Sequence, residues 1–181
     1  MRNRDKLFHA IGRIVVEFQK TERSLTEFLA ELLQAKQLNQ KDIILGALSY
    51  GQKVDLMAAL YQRRATPTKW KLCTLACHYL RAAEDFRNQT VHSDYHVISS
   101  NVGIKWIQKK ASIRGGKGLR MRRMVVDIHR LVDAATVISE LCVQATHFHF
   151  YSDQHAEEIA AKLQEGVTRL QKRPTIRRSN S

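Results

Sequence analysis

Proline and glycine are scarce in this chain: two prolines and eight glycines among 181 residues. That scarcity argues against a barrel or sandwich of many short strands, which needs turn residues at close intervals, and favours long uninterrupted helices. Cysteine is scarce as well. Cys73, Cys77 and Cys142 make an odd set without framework spacing, so no disulfide scaffold is expected, and a reducing, cytoplasmic location is the default reading. No stretch approaches the roughly 20 apolar residues of a membrane span. The opening Met1-Arg2-Asn3-Arg4-Asp5-Lys6 leads into alternating apolar and polar residues instead of the apolar run of a secretory signal, so no membrane partner is expected. Acidic residues are also few. Thirty Lys and Arg face seventeen Asp and Glu, for a formal net charge of +13, and no carboxylate stands between Asp94 and Asp127. A chain this basic is a candidate for a polyanionic partner, most often nucleic acid.

What is present is helical periodicity. Leu7, Ile11, Ile14, Phe18, Thr21, Leu25, Phe28 and Leu32 alternate steps of four and three, an apolar stripe interrupted by Thr21 beside Glu22. Asn39 is a candidate cap for a second helix, whose face comprises Ile43, Ile44, Ala47, Leu48, Val54, Met57, Leu60 and Tyr61, with Gly51 near its centre. Thr66-Pro67 opens a third helix, with threonine as cap and proline at the first helical position, followed by Trp70, Leu72, Cys73, Leu75, Cys77, Leu80, Ala83 and Phe86. Asp127 can cap a fourth, with Ile128, Leu131, Val132, Ala135, Ile138, Leu141, Cys142 and Ala145 on one face; the pattern resumes after a break at Ser152. The fold class predicted is all-α: an antiparallel bundle of four or five helices.

Residues 95–126 depart from this pattern. His96-Val97-Ile98 and Ile104-Lys105-Trp106-Ile107 read as strands, and Arg114-Gly115-Gly116-Lys117-Gly118 reads as a turn before a returning strand from Leu119 to Val126. The insertion is therefore a basic β-hairpin. Lys105, Lys109, Lys110, Arg114, Lys117, Arg120, Arg122 and Arg123 suit a phosphate-tracking surface, and Trp106 suits stacking on an unpaired base. The bland alternative is a solvated hairpin with Trp106 packed on the bundle. Residues 1–168 form the helical domain on this reading, and 169–181 form a polar, basic, disordered tail.

The third helix ends in Phe86-Arg87-Asn88-Gln89-Thr90-Val91-His92-Ser93. Arginine holds a phosphate through a fork of N–H donors, and histidine moves a proton near neutral pH. RNA cleavage without a metal needs those two abilities, because RNA carries its own nucleophile in the 2′-hydroxyl. On an ideal helix Arg87 and His92 point about 140° apart, whereas Asn88 and His92 share a face. By spacing alone, an ordinary solvated helix end explains the cluster as well as a site does.

The pattern Arg-Asn-x-x-x-His at the end of the third long helix of a basic, all-α chain resembles the signature of the HEPN superfamily, the higher-eukaryote and prokaryote nucleotide-binding domains. The likeness in helix order spans most of residues 3–165, and Arg87, Asn88 and His92 carry its specific part. The resemblance implies a bundle that dimerises so that two motifs face each other. It implies metal-independent endoribonuclease activity, without a cofactor, in the manner of a toxin or defence effector. A further implied partner is an antitoxin or another defence-system component, although some members are non-catalytic binding modules. Members of the superfamily often carry an acidic residue in the first helix facing the motif. Glu22 has that place here, its alternative being an exposed carboxylate paired near Arg23 and Lys20. The tyrosine that some HEPN toxins carry two residues after the histidine is Asp94 in this chain, with Tyr95 one position later. Cys73, Cys77 and His78 lack a second ligand pair for zinc, and His147, His149 and His155 suggest a metal only by number.

Overall fold

The computed structural model describes residues 3–34, 43–100, 103–113 and 119–172, with side chains except at 3, 97–106, 109–124 and 153. Five helices of more than ten residues make up most of it: α1 (Asn3–Leu32), α2 (Tyr50–Gln62), α3 (Pro67–Val91), α4 (Ile128–Thr146) and α5 (Asp153–Gln171). Between α3 and α4 lie three strands, β1 (Asp94–Ser100), β2 (Gly103–Ile113) and β3 (Leu119–Val125). The protein is an all-α bundle carrying an inserted antiparallel sheet. No helix among the described residues is long and apolar enough to cross a membrane.

The stripe in α1 produces its packing. Leu7, Ile14, Phe18, Thr21, Leu25 and Phe28 are all buried, while Ile11 and Leu32 are half-buried. Thr21 is tolerated at a fully buried position because its hydroxyl donates to the Glu17 carbonyl at 3.0 Å. α1 packs mainly on α4, and α3 on α5 and α2. The direction of packing follows from cross-helix pairs. Glu22 meets Lys53 and Phe28 meets Tyr61, so α1 and α2 run the same way. Gly51 lies against Glu84, and the Cys77 thiol meets the Val54 carbonyl, so α3 runs back along them. Gly166 of α5 permits the closest helix approach: a Cβ there would run into Leu141 and lie 3.2 Å from the Tyr79 ring.

Capping chemistry sets the helix starts. Thr66 accepts from the Lys69 amide at 3.3 Å and Pro67 follows it, while Asp127 accepts from the amides of His129 (2.9 Å) and Arg130 (3.3 Å). Ser152 precedes α5 after a 3-10 turn over Phe148–Phe150. The second helix is shorter than its periodicity predicts. A single helical turn at 43–46 is separated from α2 by a break, Ile43 and Ile44 are exposed instead of buried, and Leu45 points inward. The reason is local: Ser49 and Gln52 form a reciprocal capping box that starts a new helix at Tyr50 and leaves Gly51 in its first turn. Asn39 lies outside the described residues.

The insertion is a meander of order β1-β2-β3, one strand more than a hairpin. Its register pairs Asp94 with Lys109 and Ser100 with Gly103 on one side of β2, and Ile107 with Val125 and Ile113 with Leu119 on the other. The sheet is tied to the end of α3 by side chains. The Tyr95 hydroxyl donates to the Thr90 carbonyl at 2.8 Å, and the Gln108 amide donates to the Gln89 carbonyl at 2.6 Å and to Ser93 Oγ at 2.9 Å. At the other end of the chain α5 continues to Gln171, so the tail does not begin at 169: Leu170 is buried and Arg169 pairs with Asp133. Residues 173–181 lie outside the described residues.

Candidate functional site

Arg87 occupies the last two turns of α3, on the side that faces α1. Its Nη1 donates to Asn88 Oδ1 at 2.8 Å, and its guanidinium carbon stands 4.4 Å from the centroid of the Phe18 ring. A planar cation over an aromatic face is held by the ring quadrupole and by packing. Among the described residues one of its five N–H donors is occupied, by Asn88, so the fork is fixed in direction while the other donors have no partner there. Arg87 and Asn88, adjacent in sequence, are therefore brought into one unit.

A polar cluster sits beside Phe18 and Arg87. Lys53 is almost fully buried and pairs with Glu22 at 3.0 Å, the latter about one-third exposed. The Tyr50 ring packs 4.7 Å from Phe18, and its hydroxyl is buried with no hydrogen-bond partner among the described residues. Burial pushes that phenol well above its usual range, and the nearby Tyr79, Glu84, Cys142 and Glu22 add to the shift. Glu84 lies one turn before Arg87, with a carboxylate oxygen 3.8 Å from where a Cβ on Gly51 would stand. Burial raises its carboxyl above the ordinary glutamate range. Arg87 and Arg81 oppose that shift, and Asp85 and Glu22 reinforce it.

His92 stands at the C-cap of α3, where its amide donates to the Asn88 carbonyl at 3.2 Å. Its side chain is exposed. Among the described residues no hydrogen bond or ion pair joins its ring to Arg87, Asn88 or Glu22. A single chain thus unites Arg87 with Asn88, pairs Glu22 with Lys53, and leaves His92 at the surface one and a half turns further on. Glu22 is neither paired with Arg23 nor turned toward Lys20, which binds Glu17 at 3.0 Å instead.

Of the basic residues in the insertion, the backbone register alone is described. Lys109 stands opposite Arg123, Lys110 opposite Arg122, Arg120 opposite Ser112, Lys105 opposite Ile98 and Trp106 opposite Val97. Arg114 and Lys117 lie outside the described residues. Tyr95 is engaged structurally: its hydroxyl is the donor that fastens β1 to Thr90, and burial raises it to about 12. No group of three His, Cys, Asp or Glu side chains able to hold a metal occurs among the described residues. His149 is instead stacked 4.5 Å from Phe28, and Cys73 and Cys77 are buried free thiols.

Sequence reasoning missed Phe18, Lys53, Tyr50 and Glu84 as the surroundings of Arg87. One signal was available, since Glu84 and Arg87 are three apart on one helix. Lys53 carried a weaker one: it directly precedes the apolar positions Val54 and Met57 that define the inner face of α2. The chain matches no protein-family model, no curated protein and no solved structure.

Proposed function

We propose that this chain is a HEPN-type domain that acts as a homodimer and cleaves RNA without a metal, in the role of a toxin or defence effector controlled by an antitoxin or another defence-system partner. The observation that carries the reading is the state of Arg87. Its guanidinium is set by Asn88 and Phe18 with donors left open, on the same helix end that terminates at an exposed histidine. Such a pre-set cation suits the extra negative charge on a phosphorane, because it need not reorganise as that charge develops.

In the reaction the 2′-oxygen attacks the adjacent phosphorus and the bond from phosphorus to the 5′-oxygen breaks. One proton leaves the 2′-hydroxyl and one arrives at the 5′-oxygen, giving a 2′,3′-cyclic phosphate and a 5′-hydroxyl. His92 carries one of these transfers, and a second His92 from the partner copy carries the other. A second copy is part of this reading because, among the described residues, no hydrogen bond or ion pair orients the His92 ring. An apolar surface suited to that copy exists on α1: Phe8 and Val16 are about half exposed, with Ile11 and Val15 half-buried beside them. Because α1 and α3 run antiparallel, this stretch lies toward the end of α3, where Val91 is 40% exposed. The basic insertion begins two residues after His92 and supplies charge for the RNA backbone at the same end of the bundle.

A second reading is a non-catalytic HEPN-like module that binds RNA or protein. The commitment of Glu22 to Lys53 favours it, since a paired carboxylate is less available to orient a histidine. Incubating RNA with the protein in chelator, beside Arg87→Ala and His92→Ala, separates the two. The nuclease reading expects cutting by the unmodified protein alone. RNA binding by all three without cutting supports the second reading.

A further inference from the structure

A cleft lies on the other side of α3. It encloses about 390 Å³ between the end of α3, the base of the sheet, the first turn of α4 and the end of α5. A volume of this order accommodates a small organic ligand. Phe86 and Leu131, both buried, supply apolar wall. Two charged groups face the cleft without being tied to each other. Arg130 lies 5.6 Å from the Phe86 ring centroid, and its Nε is buried with no hydrogen-bond partner among the described residues. Asp85 is exposed and makes no hydrogen bond or ion pair among the described residues.

Three of the other polar lining groups are engaged within the chain. The Thr90 hydroxyl donates to the Phe86 carbonyl. Asp127 caps α4, and the Gln108 amide nitrogen is spent on Gln89 and Ser93. A buried guanidinium N–H without an acceptor is costly, and a ligand that supplies one relieves that cost. A bare phosphate suits the site poorly, because Asp85 and Asp127 both line it. A base that presents two adjacent donors to a carboxylate and two acceptors to a guanidinium suits it well. Among the RNA bases guanine has both edges: N1–H and the N2 amino group on one, O6 and N7 on the other.

We infer that this cleft is a guanine-selective subsite in which Asp85 accepts from N1 and N2 of the base and Arg130 donates to O6 and N7, against the wall made by Phe86. Gln89 and Thr90 also line the cleft, between Arg87 and His92 in sequence. The bound base therefore belongs to a nucleotide next to the scissile phosphate. That role rests on the ribonuclease reading, but the binding itself does not.

The test uses the full chain and the mononucleotides GMP, AMP, CMP and UMP, titrated by NMR or calorimetry, none of which can undergo strand cleavage. GMP should bind about tenfold or more tighter than the other three, the discrimination a bidentate base contact gives. Asp85→Asn should remove the preference while leaving AMP affinity unchanged. Arg130→Gln should weaken GMP in a protein whose circular dichroism and melting point are retained. If Arg130→Gln unfolds, the exposed Asp85→Asn still decides the matter. Equal affinity for the four nucleotides, no saturable binding, or an Asp85→Asn protein that keeps its preference for GMP would overturn the inference. Guanine selectivity in a protein that cuts no RNA would sink the nuclease reading and leave the subsite standing. RNA cutting with no guanine preference in the mononucleotide titration would do the reverse.

Discussion

On the side of α3 that faces α1 and α2, Glu84 and Arg87 are held among side chains of their own chain: Phe18, Asn88 and the first turn of α2. On the side that faces the sheet and α4, Asp85, Phe86 and Gln89 border open space. The two sides are built from alternate residues of the same two turns, yet one is filled and the other is not. Where a polar group is fixed from behind, its remaining donors are aimed in advance, as transition-state stabilisation requires. Where charged groups stay apart across a cleft, the arrangement suits recognition of a ligand that brings its own hydrogen bonds. On the proposed reading, the filled side carries the chemistry and the open side reads the base.

The comparison can be broken first at Arg87. Arg87→Ala should lower RNA cleavage about 100-fold or more, the scale on which single charge-stabilising donors act. It should leave the fold in place, because the residue is only partly buried. Arg87→Lys should restore little, since an ammonium cannot reproduce the fork held by Asn88. Initial rates on one labelled RNA check both.

The polar cluster beside Arg87 gives the next largest effect, on stability. Glu22→Ala strips the partner from a nearly buried lysine and should cost about 2 kcal/mol, the penalty of a buried charged donor left unsatisfied. Lys53→Met should cost less, because the orphaned Glu22 is about one-third exposed and can be solvated. Urea denaturation of the two variants and their double mutant measures the difference. An equal loss in both would contradict the asymmetric burial.

Gly166→Ala tests the bundle behind the cleft. The new methyl group would run into Leu141 and the Tyr79 ring and should cost about 1–3 kcal/mol as overpacking. Thermal melts would register it. Truncation of Leu141 alongside should recover part of the loss.

The smallest effect is one of pH. The Glu84 carboxyl is raised by burial, so the folded protein favours its protonated form. That contribution is fully present below the unfolded carboxyl value, about 4.3, and is lost as pH rises through the higher folded value. Glu84→Gln should therefore melt above the unmodified protein at pH 7, with the gap closing toward pH 4. A gap that widened on acidification would mean that Arg87 and Arg81 outweigh burial and the like charges of Asp85 and Glu22 at this position.

Much of the fold was legible because its signals are local. The period of α1, the Thr66-Pro67 start, the Asp127 cap, the break at Ser152 and the strands after residue 94 all follow from residues close in sequence. The break at Ser49 was also local, but the apolar pattern on either side of it, Ile43 to Leu48 and Val54 to Tyr61, runs through without a change of phase. Ser49-x-x-Gln52 was the stronger signal there. The site was legible only in part. Arg87, Asn88 and His92 stand within six residues, whereas Phe18, Lys53 and Tyr50 join Arg87 through α1 and α2. The cleft depends on Arg130 of α4 and Asp85 of α3 lining the same space, a juxtaposition that no spacing along the chain specifies.

The most direct test of the account is the chemistry of the ends that the protein leaves on RNA. An RNA with one preferred cut site is incubated in chelator, and the fragments are weighed by mass spectrometry. The account predicts a 2′,3′-cyclic phosphate and a 5′-hydroxyl from the unmodified protein, and intact RNA from His92→Ala and from a substrate with a single 2′-deoxy sugar at that site. Fragments bearing 5′-phosphates, or undiminished cutting by His92→Ala, would contradict it.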